Sequence, residues 1–169
     1  MVIQAEGVAD ADIAKAAVNT ASAPSTTMIG EDTDLLILLL HYATADGKPL
    51  YFRSDRQSRG IPKVYNINCI KRVLGSELCT QLLFLHAFTG CDSTSRVYGV
   101  GKKSAFQKLL KSDPVLQFCA NAFTLRGKNH ADIENLSSQE MAVMFGGKST
   151  CSLAALHYDI LMKKVVSAK

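Results

Sequence analysis

Apolar residues fall along this chain in short blocks whose spacing changes from helical to alternating and back. Residues 10–21 place Ile13, Ala16, Ala17 and Val18 near one face among good helix formers, which predicts a helix. Ala23-Pro24-Ser25 ends it. Thr26-Thr27-Met28-Ile29 is β-branched and apolar, the mark of a short buried strand, and Gly30-Glu31-Asp32-Thr33-Asp34 closes it. Leu35 to Tyr42 is a continuous apolar run. It reads as a buried helix, with a strand as the competing reading, because periodicity cannot separate the two. After a turn at residues 45–48, Pro49 to Arg53 and Lys63 to Ile67 alternate as two strands, joined by a basic polar loop over residues 54–62.

The rest of the chain has helical patterning. Asn68 to Leu74 predicts a short helix. Ser76 is expected to cap another over Glu77 to Phe88, with Leu78, Leu82, Leu83, Leu85 and Phe88 toward a core and Gly90 as its stop. Further helices are predicted from Lys102 to Lys111, from Pro114 to Phe123, after a capping box at Ser137-Ser138-Gln139-Glu140, and from Ser149 to Val166. Helix, strand, helix, two strands and then helices make an α/β layer with a helical C-terminal part.

Composition narrows this little. The 169 residues are 47% apolar with a mean hydropathy of +0.08, which argues against disorder and suits one domain with a small helical extension. A net charge of +4 and a pI near 8.8 suit an anionic partner without selecting one. There are five cysteines and no C-x-x-C pair. Cys69, Cys79, Cys119 and Cys151 lie in apolar, helix-like runs and are expected to be buried reduced thiols, which points to a cytoplasmic or nuclear protein. The N-terminus has no basic segment leading into an apolar core, so no signal peptide is expected. The longest apolar run, Leu35 to Leu40, is too short to span a bilayer, so no membrane association is expected.

Two stretches could carry chemistry. Asp32-Thr33-Asp34 sets two acids two residues apart just past a buried strand, where both can face one site at a sheet's carboxyl edge. Magnesium binds few protein carboxylates and takes its other ligands from water and phosphate, so such a pair suits it. The same pair also suits helix N-capping. Asp92, on the Gly90-Cys91-Asp92 turn, is a third candidate acid, and Asp10 and Asp12 stand at the mouth of the first helix; capping explains Asp12 best. Gly99-Val100-Gly101-Lys102-Lys103 can gather backbone N–H groups around a phosphate at a helix N-terminus, with lysines beside it. Ala142 to Ser149, with Gly146-Gly147-Lys148-Ser149, resembles a nucleotide loop. The helix expected before it makes the glycine pair a C-cap instead. His86 reads as a helix-face histidine packed under the Asp92 turn.

Three motifs occur in order: Glu31-Asp32-Thr33-Asp34-Leu35-Leu36, His86-Ala87-Phe88-Thr89-Gly90-Cys91-Asp92 and Gly99-Val100-Gly101-Lys102-Lys103-Ser104-Ala105. Together they resemble the back half of the flap-endonuclease/XPG branch of PIN-like nucleases, over residues 5–112. The chain is also similar to a group of animal proteins with D-T-D-L-L-x-L-L-L-H and H-A-F-T-G-C-D elements. The resemblance implies a PIN-like three-layer domain with a partial sheet over residues 1–112, ending in a helix–hairpin–helix-type motif, and a helical extension over 113–169. It implies Asp10, Asp32, Asp34 and Asp92 as ligands of magnesium or manganese. Asp32, Asp34 and Asp92 would be catalytic. Gly99, Gly101, Lys102 and Lys103 would grip a nucleic-acid backbone, DNA in preference to RNA. The family's chemistry is phosphodiester hydrolysis by metal-activated water, with two metals ~4 Å apart. Two departures stand against activity. Val8 occupies the place of one paired acid, and the family's opening strand and next acidic element would lie upstream of Met1, as in a fragment of a longer protein. The alternative expectation is therefore a catalytically inactive nucleic-acid-binding or interaction module that kept the fold.

Overall fold

In a computed structural model, residues 9–20, 25–55, 62–91, 94, 100–111, 114–124 and 129–167 are described. They divide into two units, Met1–His86 and Ala87–Lys169, with the boundary in the last turn of one helix. The helix expected to close the 1–112 domain is thus described with the second unit.

The first unit runs α1 (Ala9–Asn19), β1 (Thr26–Ile29), α2 (Thr33–Tyr42), β2 (Leu50–Ser54), β3 (Lys63–Asn66), α3 (Ile67–Leu74) and most of α4 (Ser76–Phe88). The sheet order is β1-β2-β3. β1 and β2 are parallel, from Thr26 opposite Leu50 to Ile29 opposite Arg53. Parallel strands need a crossover, and α2 supplies it. β3 returns antiparallel to β2, from Tyr51 opposite Asn66 to Ser54 opposite Lys63. The α/β class expected from the element order holds, as a small mixed sheet among helices.

The Leu35–Tyr42 run is helical. Asp32 caps it, and a strand would have left that cap and the parallel crossover without a role. Ile37, Leu39 and Leu40 are buried, and α1 packs against α2. The core joins Ala14, Met28, Leu39, Leu40, Leu50, Phe52, Ile67 and Cys79, drawn from every layer of the unit. Along β2, buried Leu50 and Phe52 alternate with half-buried Tyr51 and Arg53.

Polar side chains tie α3 to the rest of the unit. Buried Asn68 accepts from Leu50 N at 2.8 Å through Oδ1 and donates from Nδ2 to Thr44 O at 2.9 Å. One amide thus holds both the turn after α2 and the start of β2. Lys71 is buried as well, and its Nζ donates to His41 O at 2.9 Å, at the C-terminus of α2 where a cation is favoured.

The second unit contains α5 (Lys102–Leu110), α6 (Pro114–Thr124), α7 (His130–Met144) and α8 (Leu153–Ser167). Cys119, Ala122 and Leu136 form its core cluster, with Val115 and Phe123 packed against it. Lys108 Nζ donates to Val143 O at 2.6 Å and Met144 O at 3.0 Å, so α5 supplies the cation that satisfies the C-terminal carbonyls of α7.

Several expectations are corrected. The Ser137–Glu140 segment begins no helix: α7 starts at His130, capped by Asn129, whose side chain accepts from Asp132 N at 2.8 Å. Ser137 lies inside α7 with its hydroxyl donating to Ile133 O at 2.8 Å, a local bond that lets a serine sit mid-helix. Ser76 is the first helical residue of α4 and not its cap; Gly75, at φ +81°, precedes it and accepts from Cys79 N. All five cysteines are reduced, but Cys69 and Cys151 are exposed rather than buried, each on the solvent side of its segment. Among the described residues, no helix is long and apolar enough to cross a membrane.

Candidate functional site

The carboxyl end of β1 is built for close packing. Gly30 N donates to Arg53 O at 3.0 Å, completing the ladder. A Cβ at Gly30 would come within 3.2 Å of both Leu35 Cδ1 and Phe52 Cε2, so a larger residue there would require both side chains to give way slightly. The chain then turns into Asp32, whose extended backbone (φ −91°, ψ 134°) and Oδ1, accepting from Asp34 N at 3.0 Å, cap α2.

Asp34 stands in the first turn of α2, where the helix dipole favours a negative charge. His86, from the last turns of α4, meets it: Nε2–H donates to Asp34 Oδ1 at 2.6 Å. The pair is well shielded, with the His86 side chain 5% exposed and that of Asp34 16% exposed. A short, charge-assisted bond of this kind fixes the carboxylate's orientation and leaves its other oxygen available for chemistry. It also puts imidazole and carboxylate donors side by side, two ligand types that first-row divalent cations share.

The remaining expected residues are distributed as follows. Asp10 is partly exposed at the start of α1. Among the described residues, neither Asp10 nor Asp32 belongs to a group of three donors within ligand reach, so the structure does not assemble them with Asp34 as a three-acid cluster. Asp92 and Gly99 lie outside the described residues. Gly101, Lys102 and Lys103 belong to the second unit. Gly101 is the N-cap of α5, with no side-chain cap bond, and both lysines are exposed in the first turn. That leaves helix N–H groups and two ammonium groups together, as phosphate binding requires.

The Gly146-Gly147 turn forms no nucleotide loop. Gly146 (φ +85°) donates to Val143 O at 2.9 Å and Gly147 to Ala142 O at 2.8 Å, the paired bonds of a helix C-cap. The N–H groups a phosphate would need are already used. A Cβ at Gly147 would lie 2.8 Å from Leu156 Cδ2, so glycine also allows α8 to approach.

Two titratable groups with buried, unpartnered atoms had no expected role. Glu140 in α7 is fully buried, and neither carboxylate oxygen has a partner; burial pushes its carboxyl up to about 8. His41 Nδ1 is buried without a partner, and burial, then the nearby Lys71 charge, lowers its pKa. Neither is signalled by its sequence neighbourhood, since each sits where helical patterning permits a polar residue.

No family model, curated protein or solved structure matches this chain.

Proposed function

We propose that the first unit is a nuclease-family domain of the PIN-like, flap-endonuclease type, which binds magnesium or manganese at the β1–α2 edge and acts on a nucleic-acid backbone. The observation that carries this reading is the position of Asp34. It follows a parallel strand at the carboxyl edge of an α/β sheet, where such folds place their ligands, and a buried histidine holds it in place. Asp34 would ligate the metal through the oxygen His86 does not use, and His86 would orient it. When bound, the metal supplies charge stabilisation and an activated water for attack on phosphorus. In the second unit, taken by itself, the Gly101–Lys103 segment would attract phosphates without regard to sequence.

Asp32 favours a second reading. Its Oδ1 is engaged in capping Asp34 N, the role it would have in a domain that kept the fold and binds nucleic acid without cleaving it.

Calorimetric titration of manganese into the wild type and Asp34→Asn tests the first reading. The amide keeps an acceptor for His86 but loses the charge, so affinity is expected to fall at least ~10-fold, in the range seen when a metal's supporting shell is disturbed. Equal binding by both proteins, or no binding by the wild type, rejects it. Nucleic-acid binding that weakens steeply with salt and ignores the metal supports the second reading.

A further inference from the structure

The core of the first unit lies on one face of its sheet. Met28, Leu50 and Phe52 point into it, where they join Ala14 of α1, Leu39 of α2 and Ile67 of α3. Alternation along each strand sends the residues between them to the opposite face. The register assembles that face: Thr27 and Ile29 of β1 lie opposite Tyr51 and Arg53 of β2, which lie opposite Asn66 and Val64 of β3. It is open. Ile29 is 63% exposed, Val64 58% and the Arg53 side chain 42%, with half-buried Tyr51 on the central strand. Arg53 Nε donates to Asp55 Oδ1 at 2.6 Å, which holds the guanidinium plane in place.

We infer that this face binds single-stranded nucleic acid, with one base stacked on the Tyr51 ring and the next on the Arg53 guanidinium. The inference shares the nucleic-acid reading proposed above and uses none of its metal chemistry. Three observations select this occupant. The first is planarity. Tyr51 and Arg53 are two residues apart on one strand, so they stand about 6.8 Å from each other, and each offers a flat surface on which any base can stack. Ile29 and Val64 flank Arg53 on the neighbouring strands and add apolar contact. The second is charge. By sequence, residues 53–63 carry Arg53, Arg56, Arg59 and Lys63 against the single acid Asp55, a balance that favours an anion. The third excludes the competitors. A second copy docked about a two-fold axis at Arg53 would set two guanidinium groups together, and a wholly apolar partner would bury the Arg53–Asp55 pair without new bonds.

Fluorescence anisotropy of a labelled oligothymidylate of about 12 nucleotides, titrated with the full chain in the absence of divalent metal, tests the inference. The wild type is expected to bind it about 10-fold more tightly than the matching duplex with oligoadenylate, whose bases are already stacked on one another. Tyr51→Leu keeps the bulk and removes the ring, and should weaken binding about 10-fold. Tyr51→Phe keeps the ring and should bind like the wild type. Arg53→Lys keeps the charge but loses the plane, and should weaken binding as well. Circular dichroism melts establish that each variant is folded. No binding by the wild type, equal binding of the duplex, or a folded Tyr51→Leu that binds like the wild type overturns the inference. Undiminished binding by Arg53→Lys overturns the second stacking position. The manganese titration reads the Asp34 site without nucleic acid, so either reading can fail while the other stands.

Discussion

Replacing Glu140 with leucine is expected to raise the stability of the helical unit by about 3 kcal/mol at pH 7 and to flatten its dependence on pH. Folding carries this carboxyl from 4.5 to about 8, because it is fully buried and neither oxygen has a partner. Between those values the folded protein keeps a proton that the unfolded chain has released. Stability is therefore unpenalised below the unfolded value, declines as pH rises by up to ~1.4 kcal/mol per unit, and levels off once the folded group also ionises. Leucine removes the group that must be neutralised and fills its place with apolar atoms. Glu140→Gln separates the two effects: it should flatten the pH dependence but gain less, because its amide stays buried without partners. Urea unfolding followed by circular dichroism from pH 5 to pH 8 measures both. Parallel pH profiles for wild type and Glu140→Leu would show that Glu140 meets a partner or water after all.

Leu39→Ala should cost the first unit about 2–5 kcal/mol. Leu39 is fully buried on α2, in the cluster that also holds Ala14 of α1, Met28 and Phe52 of the sheet, and Ile67 of α3. Surroundings drawn from so many elements cannot close around the missing atoms without moving several of them, so most of the cavity should persist. Leu36→Ala, at a partly buried position beside the same cluster, should cost clearly less. Thermal unfolding of the two variants provides the comparison, and a loss below about 1 kcal/mol for Leu39→Ala would show that α2 is not the central element of this core.

The elements of this chain were largely legible in its sequence, because β-branched alternation and helical spacing are local signals. The strands over Thr26–Ile29, Leu50–Ser54 and Lys63–Asn66 lie within a residue or so of their expected bounds. The failures were of a different kind. Ser137 followed by Glu140 reads as a capping box, yet Asn129 had already begun the helix, and a motif of four residues carries no information about the turn before it. Burial was misjudged for Cys69 and Cys151 because an apolar neighbourhood in sequence does not say which way one side chain points. At the candidate site, Asp32 and Asp34 were visible from their spacing. The partnership of Asp34 with His86 was not: it spans 52 positions and exists only once α4 has packed.

The Asn68 bond to Leu50 also gives the first unit a built-in reporter. The Leu50 amide is protected by a side chain on α3 and not by a neighbouring strand, although Leu50 opens β2. Its hydrogen exchange is thus uncoupled from the fraying that strand ends undergo and tied to the departure of a helix. One backbone proton at the start of a strand registers the opening of α3 from the sheet.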